Sequence, residues 1–189
     1  MLEAEKLAAD SEGWEEIKLK VKTVKASRRK AAGDLYIVRV EGDMNRPAIE
    51  IMKYIKDINR KGEYDDIFES GYIIDILTDE MEIAYQKYKQ TGPVSSRDLC
   101  FIQRRFNLEG GKIVAIAMST THPNCPETNF VRAHLYLGCF MLIPVSPRVA
   151  HMVYMINIDF KGSIPKFILN SIRSDQALVV EKIRKNLSA

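Results

Sequence analysis

Three histidines, three cysteines and a pair of adjacent serines are the residues on which a reaction or a metal site would have to be built. A zinc site takes four ligands at short, regular spacing. His122, His134 and His151 do not stand at such spacing. His122-Pro123-Asn124-Cys125 supplies two donors with nothing nearby to complete the set, so a loop is the simpler reading. Cys100, Cys125 and Cys139 are odd in number and form no C-x-x-C. That argues against a disulfide framework and fits a reducing, cytoplasmic setting. Ser95 and Ser96 lack a glycine elbow and an evident histidine partner, and no glycine-rich phosphate loop follows a strand. The sequence points away from catalysis, from a metal and from an organic cofactor.

The remaining conspicuous chemistry is charge. Net charge is only +3, yet Lys18, Lys20, Lys22, Lys25, Arg28, Arg29 and Lys30 follow one another without an acid among them. Lysines on the solvent face of an edge strand discourage edge-to-edge aggregation. The same cluster attracts an anionic membrane surface by about 1 kcal/mol per basic residue, which makes Lys18, Lys20 and Lys22 membrane-surface candidates. Nucleic acid ranks last as a partner, because the run lacks the interleaved aromatic side chains on which bases stack.

The elements that carry these residues can be read from periodicity. At 189 residues and 46% apolar content, the chain is long enough for a single domain, 1–189, with a substantial core. Its first ten residues have early acids and no apolar run, unlike a secretory signal. The longest apolar stretch, Leu135 to Val145, is too short to cross a bilayer. A soluble monomer is expected. Met1 to Glu16 reads as a short helix, and Ile17 to Val24 and Tyr36 to Glu41 alternate as strands. Pro47 opens a helix with Ile49, Met52, Ile55 and Ile58 on one side. Further strands are expected over Tyr72 to Thr78, Glu82 to Lys89, Asp98 to Phe106, Lys112 to Thr120, Phe130 to Ile143 and His151 to Phe160. Glu109-Gly110-Gly111 reads as a hairpin turn. Ser163 and Pro165 then start a terminal helix reaching about Leu187, whose face carries Ile164, Ile168, Ile172, Val179 and Ile183.

Consecutive strands with short connections pair antiparallel, and a run this long must curl to bury itself. The terminal helix is the long apolar element left to cover the concave side. Periodicity leaves open whether a packed core or a cavity lies beneath it.

Three stretches carry a resemblance: PVSSRDL; HPNCPETNFVRAHLYLGCFMLIPV; and INIDFKGSIPKFILNSI, with IRKNL at the end. In this order and spacing they resemble the START family, the lipid-transfer domains related to the steroidogenic acute regulatory protein. Trp14 and Asn59-Arg60-Lys61…Tyr64-Asp65 extend the likeness, with Tyr64 where the family usually has Trp. The resemblance implies an α+β helix-grip fold, a curved antiparallel sheet wrapped around a long C-terminal helix with an internal lipid tunnel. It also implies one lipid ligand, carried or sensed, without catalysis and without a metal; a phospholipid is the first expectation and a sterol close behind, with transient contact at membrane surfaces. A non-transferring sensor or interaction module of the same fold is the alternative, and an enzyme acting on an apolar substrate a more distant one.

Combined with strand and helix spacing, the resemblance places Leu99, Phe101 and Gln103 inward on one strand and Tyr154, Ile156, Ile158 and Phe160 on the last. Met118 and Leu135 are further lining candidates. The helix contributes Ile168, Ile172, Val179 and Ile183, with Gln176 as a polar interruption. Gln103 stands where many relatives have an arginine, which implies a neutral hydrogen-bonding group and no buried acid–base pair. Arg60 and Asp65 match headgroup positions. Arg97 and Asp98 are the family's familiar pair of letters, and Arg97 is a headgroup contact on that reading. As neighbours on a strand, however, they point to opposite faces, which favours each of them, like Arg132 and Asp159, tying a loop. A tunnel must open, and the helix is attached to the sheet at one end. Its far end, Ile183 to Ala189, is expected to shift, with Gly162 as the bend.

Overall fold

The computed structural model describes residues 3–162, 164 and 175–188. Helix α1 (Glu3–Ala9) leads into strands β1 (Glu15–Ile17), β2 (Lys25–Lys30) and β3 (Tyr36–Met44). Helix α2 (Ala48–Lys56) and a 3-10 turn (Ile58–Glu63) follow. Then come β4 (Phe68–Thr78), β5 (Met81–Tyr88), β6 (Arg97–Asn107), β7 (Ile113–Ser119), β8 (Val131–Arg132), β9 (His134–Ser146) and β10 (Val149–Asp159). Helix α3 (Val179–Ser188) closes the described chain.

The strands form one sheet in the order β1-β2-β3-β10-β9-β7-β6-β5-β4, which does not close, because β1 and β4 remain edges. All neighbours on that path pair antiparallel, as short connections dictate. Two-residue β8 departs from the pattern by pairing parallel with the start of β6, where Arg97 faces Val131. Between β6 and β7 the chain reverses at Gly110 and Gly111, whose φ angles of 71° and 74° are costly for any side chain with a Cβ.

Alternation assigns the two faces of the sheet. Val38 and Val40 of β3, Leu142 of β9 and Met152 of β10 point to the concave side, where Ile51 and Met52 of α2 and Val180 and Ile183 of α3 complete a core. Val114, Cys139, Met141, Val153 and Met155 point the other way and are covered by Ala4 and Leu7 of α1.

Several sequence expectations are corrected. Residues 18–24 form no ladder; the pairing with β3 falls on Lys25–Lys30 instead. The segment leaves the sheet and crosses β3 at Gly42, where a Cβ would lie 2.9 Å from Val24 Cγ1 and 3.0 Å from the Thr23 carbonyl. Its alternation still sorts the side chains: Ile17, Leu19 and Val21 pack against the core, and Lys18, Lys20 and Lys22 are exposed. On α2 the buried face is Ala48, Ile51 and Met52, whereas Ile49 is 45% exposed.

Of the expected terminal helix, the described part is Val179–Ser188. Ser163, Pro165, Ile168 and Ile172 lie outside the described residues. The far end is not loose. Asn186 Nδ2 donates to Tyr54 Oη and to the Glu63 carbonyl, each at 3.0 Å, and Lys182 Nζ meets Asp66 at 2.6 Å. Thr23 Oγ1 donates to Glu181 at 2.6 Å, fastening the crossing segment to the helix. The end expected to shift is therefore met by polar groups of α2, of the 3-10 turn and the loop after it, and of the N-terminal crossing.

Candidate functional site

Beneath α2 and the start of the terminal helical segment, the concave sheet encloses a cavity instead of a packed core. Its volume is about 200 Å³, room for roughly a dozen or more water positions at about 10–15 Å³ each. The floor shows why it is empty. Gln103 of β6 stands opposite Ala117 of β7, Ala117 opposite Gly138 of β9, and Gly138 opposite Ile156 of β10. Two of these four positions carry at most a methyl group, so the middle of the sheet has too little side chain to meet the helix.

The floor is apolar around this row. Leu99 and Phe101 continue the inward face of β6, and Ile158 and then Phe160 that of β10. Leu135 and Phe140 of β9 join them, with the Phe140 ring stacked on Tyr154 at 4.7 Å. Burial in this setting pushes the Tyr154 hydroxyl well above its ordinary pKa. Gln176 and Val179 supply the lid from the helix, and Asp65 lies at the rim.

One end of the cavity is polar. Gln103 Nε2 donates to Glu82 Oε1 at 2.5 Å, and Lys56 Nζ of α2 lies 3.6 Å from Glu82 Oε2. Glu82 is buried, whereas the Lys56 side chain is 39% exposed, so the carboxylate sits inside the cavity and its cationic partner reaches it from the surface. Arg105, two positions beyond Gln103 on the same face, also lines the cavity. Lys61 and Asp65, which also line the cavity, form a second, half-buried pair at 3.4 Å.

Not every candidate residue reaches the cavity. Met118 is 50% exposed, because it stands opposite Ile102 and so points to the convex side. Ile183 is fully buried, but within the core beneath α3 and not on the cavity wall. Arg60 lies outside, bound to Glu63 at 3.0 Å and set over the Tyr54 ring. Lys18, Lys20 and Lys22 are exposed on the N-terminal crossing, away from the lining. Lys56, Glu82 and Arg105 are the functional candidates that the sequence reading missed. For Arg105 the signal was present, since the inward alternation Leu99, Phe101, Gln103 continues to it.

Arg97 and Asp98 occupy opposite faces and secure different loops. Arg97 Nε and Nη2 donate to the carbonyls of Phe160 at 3.3 Å and Lys161 at 3.2 Å, and its Nη1 reaches Ser95. Asp98 is wholly buried on the other side, where Arg132 Nε and Nη2 donate to its two oxygens at 2.7 and 3.0 Å and Thr128 Oγ1 at 3.0 Å. The bond to Asp98 holds the Arg132 guanidinium well above its ordinary pKa. This pair anchors the loop ahead of β8, which also contains His122 and Cys125. His122 Nδ1 accepts from the Asn124 backbone at 3.2 Å and its ring faces Asp75. Among the described residues no group of three or more metal-ligating side chains converges, and no helix is long and apolar enough to cross a membrane.

Comparison with known proteins gives a consistent picture. A family model described as "START domain" matches residues 1–188. Among curated proteins, the chain is 32% identical over 108 residues to Protein ENHANCED DISEASE RESISTANCE 2-like of Arabidopsis thaliana, covering 53% of the chain and 15% of that protein. It is 24% identical over 144 residues to START domain-containing protein 10 of Homo sapiens, covering 76% and 48%. The chain thus spans less than half of either relative. Among solved structures, human StAR-related lipid transfer protein 5 superposes with a TM-score of 0.84 at 21% identity, over 98% of this chain and 94% of that one. Human STARD10 gives 0.83 at 21% identity, over 97% and 77%. At such identities these likenesses show the fold.

Proposed function

The chain belongs to the START domain family, and from that premise we propose that it binds one lipid in the cavity beneath α2 and the terminal helix and carries it between membranes. The observation that carries this reading is the floor row Gln103–Ala117–Gly138–Ile156, which leaves a space with a largely apolar floor and a polar end at Gln103 and Glu82. A lipid in water exposes its chains at about 0.8 kcal/mol per CH₂. Shielding them requires apolar walls, which Leu99, Phe101, Leu135, Ile156 and Ile158 provide. The polar end formed by Lys56, Glu82 and Gln103 favours a phospholipid over a sterol, since one hydroxyl engages little of it.

The remaining features fit a carrier acting without catalysis. Among the described residues no histidine or cysteine lines the cavity, so none of them pairs a nucleophile with an imidazole base there. All three cysteines are free, as suits a reducing cytoplasm. Exposed Lys18, Lys20 and Lys22 would hold a monomeric carrier transiently at an anionic surface. One observation favours the second reading, a sensor that holds its lipid: the end of α3 is fastened through Glu181, Lys182 and Asn186. A vesicle assay separates them. Fluorescent phospholipid should move from donor to acceptor vesicles in proportion to protein added. Retention of the lipid without transfer selects the sensor, and neither retention nor transfer refutes both.

A further inference from the structure

Resting on the reading of the cavity as a lipid site, we infer that Arg105 receives the phosphate of the ligand's headgroup, so that the cargo is a phosphate-bearing lipid and not a neutral one. Three buried side-chain polar atoms among the described residues have no hydrogen-bond partner: Trp14 Nε1, Asn157 Oδ1 and Arg105 Nε. Of the three residues only Arg105 lines the cavity. Its side chain makes no ion pair and no hydrogen bond within the described protein, although its backbone is fixed by a 2.8 Å bond from its N–H to the Glu80 carbonyl. Buried donors without partners are rare in native structures and call for a missing partner.

The neighbours define that partner. Glu82 is already engaged by Gln103 and by Lys56, which leaves Arg105 without an acid paired to it at the polar end. Arg97, the other arginine set deep among the lining residues, spends its donors on the Ser95, Phe160 and Lys161 backbone. Along its row of the sheet Arg105 faces Ala115, then Phe140 and Tyr154. A small methyl neighbour leaves room beside the guanidinium; on its other side stands Glu80, which also lines the cavity but is exposed and forms no ion pair with Arg105. A guanidinium presents a rigid fork of donors that matches phosphate oxygens. A hydroxyl head, as on a sterol or a diacylglycerol, would leave the charge unmatched. From Arg105 the floor runs through Gln103 to Phe101 and Leu99, so a phosphate at Arg105 directs its acyl chains along the apolar part.

The test uses the full chain loaded from vesicles of phosphatidylglycerol, phosphatidylcholine or diacylglycerol with matched acyl chains, with retained lipid measured after gel filtration. Arg105→Gln should lower retention of both phospholipids by roughly tenfold or more, the size of a charge-assisted bond, and leave diacylglycerol unchanged. Arg105→Lys should recover part of the loss. Equal melting temperatures would show that the variants fold. An equal loss for all three lipids assigns Arg105 a packing role and overturns the inference, as does no loss for any. Titration of the lipid-free protein with inorganic phosphate distinguishes the source: Arg105-dependent phosphate binding without phospholipid retention would place a free anion there and overturn the headgroup assignment. If the unaltered protein retains none of the lipids, the lipid-carrying reading itself fails; retention with no response to Arg105→Gln fails only this inference.

Discussion

Replacing Glu181 by Gln tests how firmly the terminal helix is tied over the cavity. The Glu181 side chain is 5% exposed. It accepts from Thr23 at 2.6 Å and from Arg184 at 2.8 and 2.9 Å, and Lys185 lies 3.5 Å away. Hydrogen bonding to Arg184, with Thr23 assisting against the cost of burial, pushes its carboxyl down from 4.5 to about 2. A carboxyl held below its unfolded value stabilises the fold fully above that value and loses the contribution as pH falls through the folded one. A drop of this size corresponds to roughly 3 kcal/mol at neutral pH and to little more than about 1 kcal/mol at pH 3. Gln keeps one neutral bond to Thr23, so Glu181→Gln should cost about 2–3 kcal/mol at neutral pH. Urea titrations of both proteins at several pH values would show the gap closing as pH falls from about 4.5 toward 2. A gap that does not change with pH, or one within error of zero at neutral pH, would refute the reasoning.

Asp98→Ala strands Arg132 without its bidentate partner and should destabilise by about 3–5 kcal/mol, read by urea unfolding, nearer the lower figure because Arg132 retains some contact with water. Gln103→Leu should weaken lipid binding by about 1–3 kcal/mol by freeing the buried Glu82 from its donor, measured by competition for a fluorescent lipid; unchanged affinity would remove Gln103 from the site. Neutralising Lys18, Lys20 and Lys22 together should slow transfer from anionic vesicles in a salt-sensitive way and leave neutral vesicles little affected. Equal effects on both would make these lysines ordinary surface.

Much of the architecture was legible because alternation is a local property. Tyr154, Ile156 and Ile158 share the inward face of β10 as their spacing implies, and the Gly110-Gly111 reversal falls where two glycines announce it. What failed depended on register and crossing. Met118 alternates as well as its neighbours, but its pairing with Ile102 decides which face it takes. Lys18 to Val24 has the pattern of a strand without the ladder, since packing on the core and exposure to water satisfy alternation equally. The cavity was hidden for the same reason: Ala117 and Gly138 are unremarkable until the ladder places them side by side. Glu82 stood only as the first residue of an expected strand, and its position opposite Gln103 brings it to the cavity. The resemblance supplied what periodicity lacked, the order of the whole fold and the expectation of a tunnel.

The central claim is that one lipid fills the cavity between the sheet and the terminal helix. Native mass spectrometry of the protein after exposure to a cellular membrane extract tests it most directly. The account predicts one adduct per chain, with the mass of a single phospholipid and removable by solvent. Protein that emerges at its bare mass from every extract, or with a ladder of non-stoichiometric adducts, would contradict it.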